Sequence, residues 1–599
     1  MKNIYKLRMA VVACSVLAAT ACTDYLDYNT VPEATDPAAD KTLWENIVEN
    51  DNLTDFAGVL ERMGYDKVLN ASRTYTVWAP VNGSYSVEEL NQMDTAQVVR
   101  QFLKNMIADY AHRETDINDT VVYMLNGKLM KFSNKNTGDL AFDGQKILRN
   151  TSNNLEVFNY PSTNGLLYVA AAPAVFRYNG YEYLRESEDM PNMMWNYVDR
   201  YHSSVLDEAN SVKGTIIDGV QHYDDSVMIV SNTLTERRLR AQLDNEDSLY
   251  SVILLTDDAW ENAYKEISSY YTYLPSMVYQ DLNHETVGNE KAEDLKQSTG
   301  SVTVTLEAAP NDQKTEEYWT DSITKLLMTQ NMVFSETNQK YNAKLLTNTD
   351  FAEKDTLYST TGNYLTNLLP LNDVTDKIVR LSNGHARFVN EFPFLPEETY
   401  APVIRSREVA RLVLQDRVGQ ATRVSIEEKY LDPEVCVLED NQTSLTYVRA
   451  DIPNLSEWAP ELDFYLSGVL STTYDAYAVV VPSCVENPEM ADSLKKPYTL
   501  HFDINYTGAD NKPVMARFNG DTIIVGSRNM KKVEPFVVGR DKVDTVKLGR
   551  LTFPVCYAGT DAKPNIKVFH SVSSFSSQKN KDSYEQKLRI ANIILEPVR

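Results

Sequence analysis

The stretch TYTVWAPVNGS (74–84) runs through β-branched and aromatic residues and stops at a proline followed by an Asn-Gly pair. β-branched and aromatic residues favour a strand, and Asn-Gly favours a tight turn because glycine reaches positive φ without steric cost. The same order returns at LYSVILLTDDAW (249–260), where 250–257 aligns with 75–82 without a gap. A strand and turn repeated at this separation predict two copies of one domain.

Each copy continues in the same way along the chain. Apolar residues recur every three or four positions before the first strand, which predicts helices, and a second glycine-containing strand comes late in the copy. That late strand reads TNGLLYV at 163–169 and SNGHARFV at 382–389. We place the first domain at 41–180 and the second at 186–400.

The second copy differs from the first in its length. Its first helix is predicted over 193–209, and its central part, about 270–370, includes the polar insertion HETVGNEKAEDLKQSTG. We expect this added length to form loops, because loops tolerate insertions better than packed elements do.

This order of signatures resembles the fasciclin domain, an α+β fold. The resemblance covers about 360 residues and implies two fasciclin-like domains in tandem. The family often carries a Tyr-His pair between its two signatures, but Asn105 and Met106 stand at that place here, so the resemblance carries no role to them. We interpret the signatures as core and turn chemistry, with Trp78 buried and Pro80 ending the strand.

The last third of the chain, 401–599, is predicted to be all β. Short alternating runs such as YAVVVPS and YTLHFDINY are separated by turn-forming segments such as TGADNKP. This pattern is typical of an antiparallel β-sandwich of jelly-roll type. The closing run LRIANIILEPV resembles the last strand of jelly-roll modules in Bacteroidota surface lipoproteins, and such modules often bind glycans.

The first residues predict export and lipid anchoring. A basic start, an apolar run too short to span a bilayer and small residues before Cys22 are typical of a signal peptide over 1–21. The stretch resembles a lipoprotein lipobox, which implies that Cys22 carries palmitate-like acyl chains as the outer-membrane lipid anchor. An acidic tether over 22–40 resembles that of Bacteroidota lipoproteins exported to the cell surface.

Composition and motifs argue against several classes of function. A formal charge of −26 excludes a surface built to neutralise nucleic-acid phosphates. The seven histidines form no metal-ligand spacing, and no nucleophile elbow, P-loop or dinucleotide fingerprint is present, so we expect no cofactor, no metal site and no enzyme. At most one disulfide can form among the cysteines of the last third, which are Cys436, Cys484 and Cys556.

Tyrosines are the best candidates for binding, since the chain has 36 of them. An exposed tyrosine ring stacks on sugars and anchors protein interfaces at low entropic cost. Two clusters supply the candidate residues: Tyr270, Tyr271 and Tyr273, and Tyr178 with Tyr181. The alternative is that these rings pack in the core.

We therefore expect a non-catalytic lipoprotein of the outer membrane that faces the cell exterior. Its partner is expected to be an extracellular glycan, or a transporter with its lid lipoprotein in a starch-utilisation-type uptake complex. A structural adhesin acting between cells or between cell and matrix is the alternative.

Overall fold

The computed structural model describes the chain from residue 37 to residue 599 with gaps. The segments outside the description are 115–119, 134–139, 153–154, 210, 218, 226–227, 275–294, 297–302, 305–315, 348–349, 408–422, 431–443, 452–458, 561 and 573. The predicted signal peptide, Cys22, nearly all of the tether, most of the polar insertion and Cys436 lie outside the described residues. The chain forms two compact units, the first of 1–183, 242–249 and 380–384, and the second of the remainder.

The first copy of the repeat is built around one short mixed sheet. Its helices are α1 (Leu43–Val48), α2 (Thr54–Arg62), α3 (Tyr65–Leu69), α4 (Val87–Gln92) and α5 (Thr95–Gln97), followed by a π-helical turn, Val98–Leu103. Its strands are β1 (Tyr75–Pro80), β2 (Ile107–Asp109), β3 (Thr120–Tyr123), β4 (Leu129–Ser133), β5 (Ala141–Phe142), β6 (Gln145–Lys146), β7 (Asn150–Ser152), β8 (Leu155–Val157), β9 (Asn159–Ser162) and β10 (Gly165–Ala170). The order β2-β1-β10-β9 places the two signature strands side by side, and β1 and β10 run parallel.

Every residue of β1 and β10 is buried, as expected for paired strands covered on both faces. Trp78 is fully buried and stacks on Phe142, with 4.3 Å between the ring centroids. Phe132 meets the indole edge-on at 5.3 Å. The prediction that Trp78 is a core residue is confirmed.

The second copy repeats the central sheet with longer connections. Its helices are α6 (Gly180–Glu186), α7 (Asn192–Asp199), α8 (Asp257–Ser268), α9 (Glu316–Thr329), α10 (Ala343–Thr347), α11 (Leu369–Val374) and α12 (Pro396–Thr399), with a π-helical turn at Leu234–Arg238. Its strands are β11 (His202–Leu206), β12 (Val212–Ile217), β13 (Val220–Asp225), β14 (Met228–Asn232), β15 (Tyr250–Leu255), β16 (Leu295–Lys296), β17 (Thr303–Val304), β18 (Val333–Ser335), β19 (Leu357–Tyr358), β20 (Tyr364–Leu365), β21 (Thr375–Leu381) and β22 (Gly384–Val389). The sheet order β18-β15-β22-β21 matches β2-β1-β10-β9 strand for strand.

The predicted helix over 193–209 is wrong beyond its first half. Helix α7 ends at Asp199, and the chain then forms four strands in two antiparallel pairs, β11 with β14 and β12 with β13. The sequence carries a hairpin signal at this place, because Asp218-Gly219 stands between β-branched residues. We call residues 202–232 the ribbon.

The C-terminal part forms two six-stranded antiparallel sheets. Its strands are β23 (Ile404–Ser406), β24 (Arg423–Tyr430), β25 (Ser444–Asp451), β26 (Leu462–Tyr465), β27 (Thr473–Val480), β28 (Tyr498–Thr507), β29 (Pro513–Phe518), β30 (Ile523–Val525), β31 (Phe536–Val538), β32 (Asp544–Thr552), β33 (Asn565–His570) and β34 (Leu588–Pro597), with helices α13 (Ser527–Met530) and α14 (Gln578–Ser583). One sheet has the order β24-β25-β34-β27-β32 with β23 on β34, and the other β26-β33-β28-β29-β30 with β31 on β28.

Side chains of the two C-terminal sheets meet in a shared interior. The Tyr498 hydroxyl on β28 donates to the Val481 carbonyl at 2.8 Å, just past the end of β27 in the other sheet. Cys484 and Cys556 are both buried free thiols. The two do not form a disulfide with each other.

Candidate functional site

The second signature of each copy holds the fold together through its asparagine. In the first copy Asn164 accepts from the N–H of Leu43 at 2.8 Å and donates to the carbonyls of Leu69 and Ala71 at 2.8 and 2.6 Å. These groups belong to the first residue of α1 and to the connection that leads into β1. One buried side chain therefore fixes a helix start against the entry to the central strand.

Asn383 makes the same three contacts in the second copy. It accepts from the N–H of Gly180, the first residue of α6, at 2.8 Å, and it donates to the carbonyls of Leu243 and Asn245 at 2.9 and 3.0 Å. In the first copy the glycine that follows the asparagine is required for steric reasons, because a Cβ at Gly165 would lie 1.9 Å from the Tyr75 carbonyl oxygen. The structural interpretation of this signature is confirmed.

The first signature ends in a helix cap. Asn82 accepts from the N–H of Asp55 in the first turn of α2 at 2.9 Å, and Asp257 accepts from the N–H of Met193 in the first turn of α7 at the same distance. A side-chain oxygen at this place satisfies a backbone donor that the helix leaves unpaired. Both signatures thus contribute to folding, and neither presents a reactive group.

The tyrosines near residue 270 are mostly packed inside the second unit. Tyr271 is fully buried and donates to the Tyr400 carbonyl at 2.7 Å, while Tyr273 is 4 % exposed and donates to the Ala558 carbonyl at 2.7 Å. Burial is the chief cause that raises the pKa of Tyr271 well above its usual value. The prediction that these two rings contact a ligand is wrong for this structure, because neither ring can reach one.

The backbone of the same segment is bonded to loops of the C-terminal part. The Cys556 N–H donates to the Thr272 carbonyl at 2.7 Å, and the Ser471 N–H donates to the Tyr270 carbonyl at 2.9 Å. The Tyr270 ring is half-buried against Tyr400, with 5.5 Å between centroids. Contact of Tyr270 with a partner stays a prediction.

In the second tyrosine cluster one ring is buried and the other is half-buried. Tyr181 lies in α6 and is 8 % exposed, so its ring is not available for stacking on a ligand. Tyr178 is half-buried, and its hydroxyl accepts from Gln101 at 3.4 Å. Binding by Tyr178 stays a prediction.

A cleft of about 60 Å³ lies on strands β24 and β25 of the C-terminal part. The antiparallel register sets Ser425 opposite Arg449, and the period of two along each strand brings Glu427 and Asp451 to the same face. These four side chains line the cleft, and the Ser425 hydroxyl donates to Glu427 Oε1 at 2.8 Å. These four cleft residues were not among those predicted from the sequence to bind a ligand, although polar residues at every second position of VSIEE and YVRAD indicated a polar strand face.

The charged groups of the cleft are incompletely paired. Arg449 Nη2 lies 3.4 Å from Asp451 Oδ2, and Arg449 Nε lies 3.5 Å from Glu486 Oε1. Asp451 Oδ1 is buried and has no hydrogen-bond partner among the residues that the structure describes. A buried acceptor without a partner costs about 1–3 kcal/mol, so a donor from a ligand would be stabilised here.

A buried ion pair supports the cleft from β34. Arg589 has a 3 % exposed side chain, donates to Glu486 Oε2 at 2.8 Å and also to the Tyr498 hydroxyl at 3.0 Å. Burial tends to raise the pKa of Glu486, but Arg589 and Arg449 outweigh it and the pKa is lowered. Glu486 therefore stays an anion that orients Arg449.

The cleft offers donors and acceptors in one small space. Guanidinium N–H groups, carboxylate oxygens and a hydroxyl can together bind neighbouring hydroxyl groups of one uncharged ligand. Within the described parts of the chain, no group of three or more His, Cys, Asp or Glu is arranged to hold a metal ion. Over those same residues, no helix has the length and apolar character needed to cross a bilayer.

Comparisons with known proteins give remote likenesses only. No protein-family model and no curated protein matches the chain. Among solved structures it is similar to a FAS1 domain pair from the insect cell adhesion molecule Fasciclin I, at 12 % identity and a TM-score of 0.19, over 59 % of this chain and 97 % of that one. It is also similar to a Paenibacillus xanthan lyase, at 11 % identity and a TM-score of 0.17, over 37 % of this chain and 18 % of that one.

A third likeness is to the family 32 carbohydrate-binding module of Streptococcus pneumoniae EndoD. Identity is 11 % and the TM-score 0.12, over 29 % of this chain and 96 % of that module. At this level of similarity none of the three bears on what the chain binds.

Proposed function

We propose that this chain is a non-catalytic lipoprotein of the outer membrane that faces the cell exterior and binds an extracellular glycan. The two fasciclin-like copies act as a spacer and support, and the two C-terminal sheets form a jelly-roll-like β-sandwich that carries the binding site. The anchor is the acylated Cys22. Binding of this kind suits an accessory of a starch-utilisation-type uptake complex.

The cleft at Arg449 is the observation that supports the proposal. Its polar groups suit hydroxyl groups, and Asp451 Oδ1, which has no partner among the described residues, can accept a hydrogen bond from a ligand donor. The signature asparagines and the buried Tyr271 and Tyr273 give no comparable surface, since their amide and hydroxyl groups are bonded within the fold. A sugar that presents neighbouring hydroxyls to a guanidinium and a carboxylate fits these groups.

Glycan binding is tested with the purified full-length chain in affinity gels that contain starch, xylan, pectin or mucin. We expect retardation by at least one gel, and we expect Arg449→Met to weaken binding about tenfold, the effect of losing ~1.4 kcal/mol. Arg528→Met, at an exposed arginine of α13, serves as the control. Absence of retardation in every gel, equal retardation of Arg449→Met, or release of sugar products during incubation would contradict the proposal.

The anchor is tested separately in the source cells. Cys22→Ala should move the protein from the membrane fraction to the soluble fraction, because no acyl chain can then be attached. Protease added to intact cells should digest the wild-type protein. Retention of Cys22→Ala in the membrane fraction contradicts lipid anchoring, and protection of the wild type contradicts the outward orientation.

A further inference from the structure

The ribbon (202–232) holds aliphatic side chains in water. Val205 and Ile229 stand directly opposite each other on β11 and β14, and their exposed fractions are 59 % and 55 %. Ile217 and Val220 flank the turn between β12 and β13 and are 52 % and 62 % exposed. Exposed aliphatic residues gathered on one segment in this way indicate an interaction surface.

The first copy shows that the domain does not need the ribbon. Helices α2 and α7 occupy the same place, since each is capped by the residue that follows the central strand. In the first copy only Met63 and Gly64 separate α2 from α3, whereas residues 200–233 separate α7 from the next helical turn. The ribbon is therefore an addition to a domain that folds without it.

The strands of the ribbon also have open edges. Within the part of the chain that the structure describes, each strand pairs with one neighbour in a two-stranded sheet, so its other edge presents backbone N–H and C=O groups to no described strand. Two-stranded sheets are only marginally stable in water, and natural proteins rarely leave an aliphatic edge uncovered. An added strand from another molecule satisfies both the backbone groups and the apolar side chains.

The negative charge of the ribbon indicates what kind of molecule would bind to it. Residues 202–232 contain five Asp or Glu and a single Lys, within a chain of formal charge −26. A second copy of this chain and an anionic lipid surface are both repelled by that charge, whereas a segment that carries Lys or Arg is attracted.

We propose that the ribbon is a docking surface for a second protein, whose contact segment presents aliphatic side chains flanked by Lys or Arg. The contact forms by strand addition at an open edge of the ribbon and by cover of Val205, Ile217, Val220 and Ile229. Docking at the ribbon does not use the Arg449 cleft, so a variant that loses glycan binding should still dock, and a variant that loses docking should still bind glycan.

The partner is identified by photo-crosslinking in the source cells. The full-length chain carries p-benzoylphenylalanine at Ile229, and in the control at Leu494, which is 59 % exposed on the C-terminal part. We expect one adduct from Ile229, none from Leu494, and a crosslinked peptide that contains apolar residues beside Lys or Arg. An adduct of twice the chain mass, an adduct to lipid, or no adduct overturns the proposal.

The purified pair then gives the decisive measurement. Ile217→Ser with Val220→Ser should weaken binding about tenfold or more, while the Tm changes by no more than about two degrees, because these side chains are already in water. A rise in NaCl from about 50 to 300 mM should weaken binding further, as opposite charges are screened. Unchanged affinity in the double variant, or affinity that is insensitive to salt, overturns the proposal.

Discussion

At the scale of single residues, one buried asparagine holds the same elements together in each copy. Asn164 holds a helix start and the entry to a buried strand with three hydrogen bonds, and Asn383 repeats all three. The sequence predicts the Asn-Gly turn in both places. It does not show that each amide reaches back to groups 93 to 203 residues earlier in the chain, because those contacts depend on the tertiary fold.

Asn164→Ala should destabilise the first unit by about 2–4 kcal/mol. The change leaves the buried N–H of Leu43 without its acceptor and removes two donors, and each unmade buried hydrogen bond costs about 1–3 kcal/mol. Hydrogen exchange of amides in α1 and β1 measures the effect, with Asn91→Ala at an exposed position of α4 as the control. Equal exchange rates in the two variants would show that the three hydrogen bonds of Asn164 do not stabilise the first unit.

His570 gives the C-terminal sheets a dependence on pH. The ring is 6 % exposed, and burial lowers its pKa to about 4. An unfolded histidine titrates near 6.5, so the unfolded state takes up a proton first as the pH falls. The stability that His570 contributes is complete above about 6.5 and is lost as the pH falls from there to about 4, a change of about 3 kcal/mol.

The variant His570→Phe isolates this contribution from the carboxylates, which titrate in both proteins. We expect the wild type to lose about 3 kcal/mol more than His570→Phe between pH 7 and pH 4, measured by urea unfolding of the C-terminal sheets. Parallel pH curves for the two proteins would mean that the ring is solvated in the folded state.

At the scale of elements, the segment after α8 joins the second copy to the C-terminal sheets. Sequence patterns indicated a tyrosine-rich loop, and loops commonly carry recognition residues. Tyr271 and Tyr273 are buried instead, and their hydroxyls donate to the carbonyls of Tyr400 and Ala558, 129 and 285 residues later in the chain. No local sequence pattern records such contacts. The ribbon was not predicted for a different reason. The predicted helix over 193–209 extended the helical period of its first half across Ser203 and Ser204, although Asp218-Gly219 indicated a hairpin.

Tyr271→Phe tests this junction. The change deletes only the hydroxyl that donates to the Tyr400 carbonyl, so we expect a loss of about 1–2 kcal/mol with the ring still packed. Tyr110→Phe, at a ring that is 49 % exposed, should change stability by less than about 0.5 kcal/mol. A shared thermal transition of the second copy and the C-terminal sheets, lowered in Tyr271→Phe alone, is the expected result in calorimetry.

At the scale of the whole molecule, the sequence repeat and the compact units do not coincide. The repeat predicts a first domain over 41–180, yet the first unit also contains 242–249 and 380–384. The reason lies at Lys128, whose side chain is 2 % exposed and pairs with Glu182 and with Glu246, 2.7 Å away. Ser382 lies 3.3 Å from the same ammonium group. The repeat in sequence marks two copies of the same strands and turns, whereas contacts such as these join 242–249 and 380–384 to the first copy.

From these ion pairs we predict that a substitution of Lys128 strongly destabilises the whole chain and has little effect on the stability of the first repeat alone. In the full-length chain Lys128→Met leaves Glu182 and Glu246 buried without their cation, and breaking such a pair costs about 3–5 kcal/mol. In the fragment 41–180 both carboxylates are absent, so Lys128 faces water and the same change should alter stability by less than about 1 kcal/mol. Urea unfolding of the four proteins measures both differences. An equal loss in the chain and in the fragment would show that Lys128 is stabilised within the repeat itself, and that the first domain ends where the sequence repeat does.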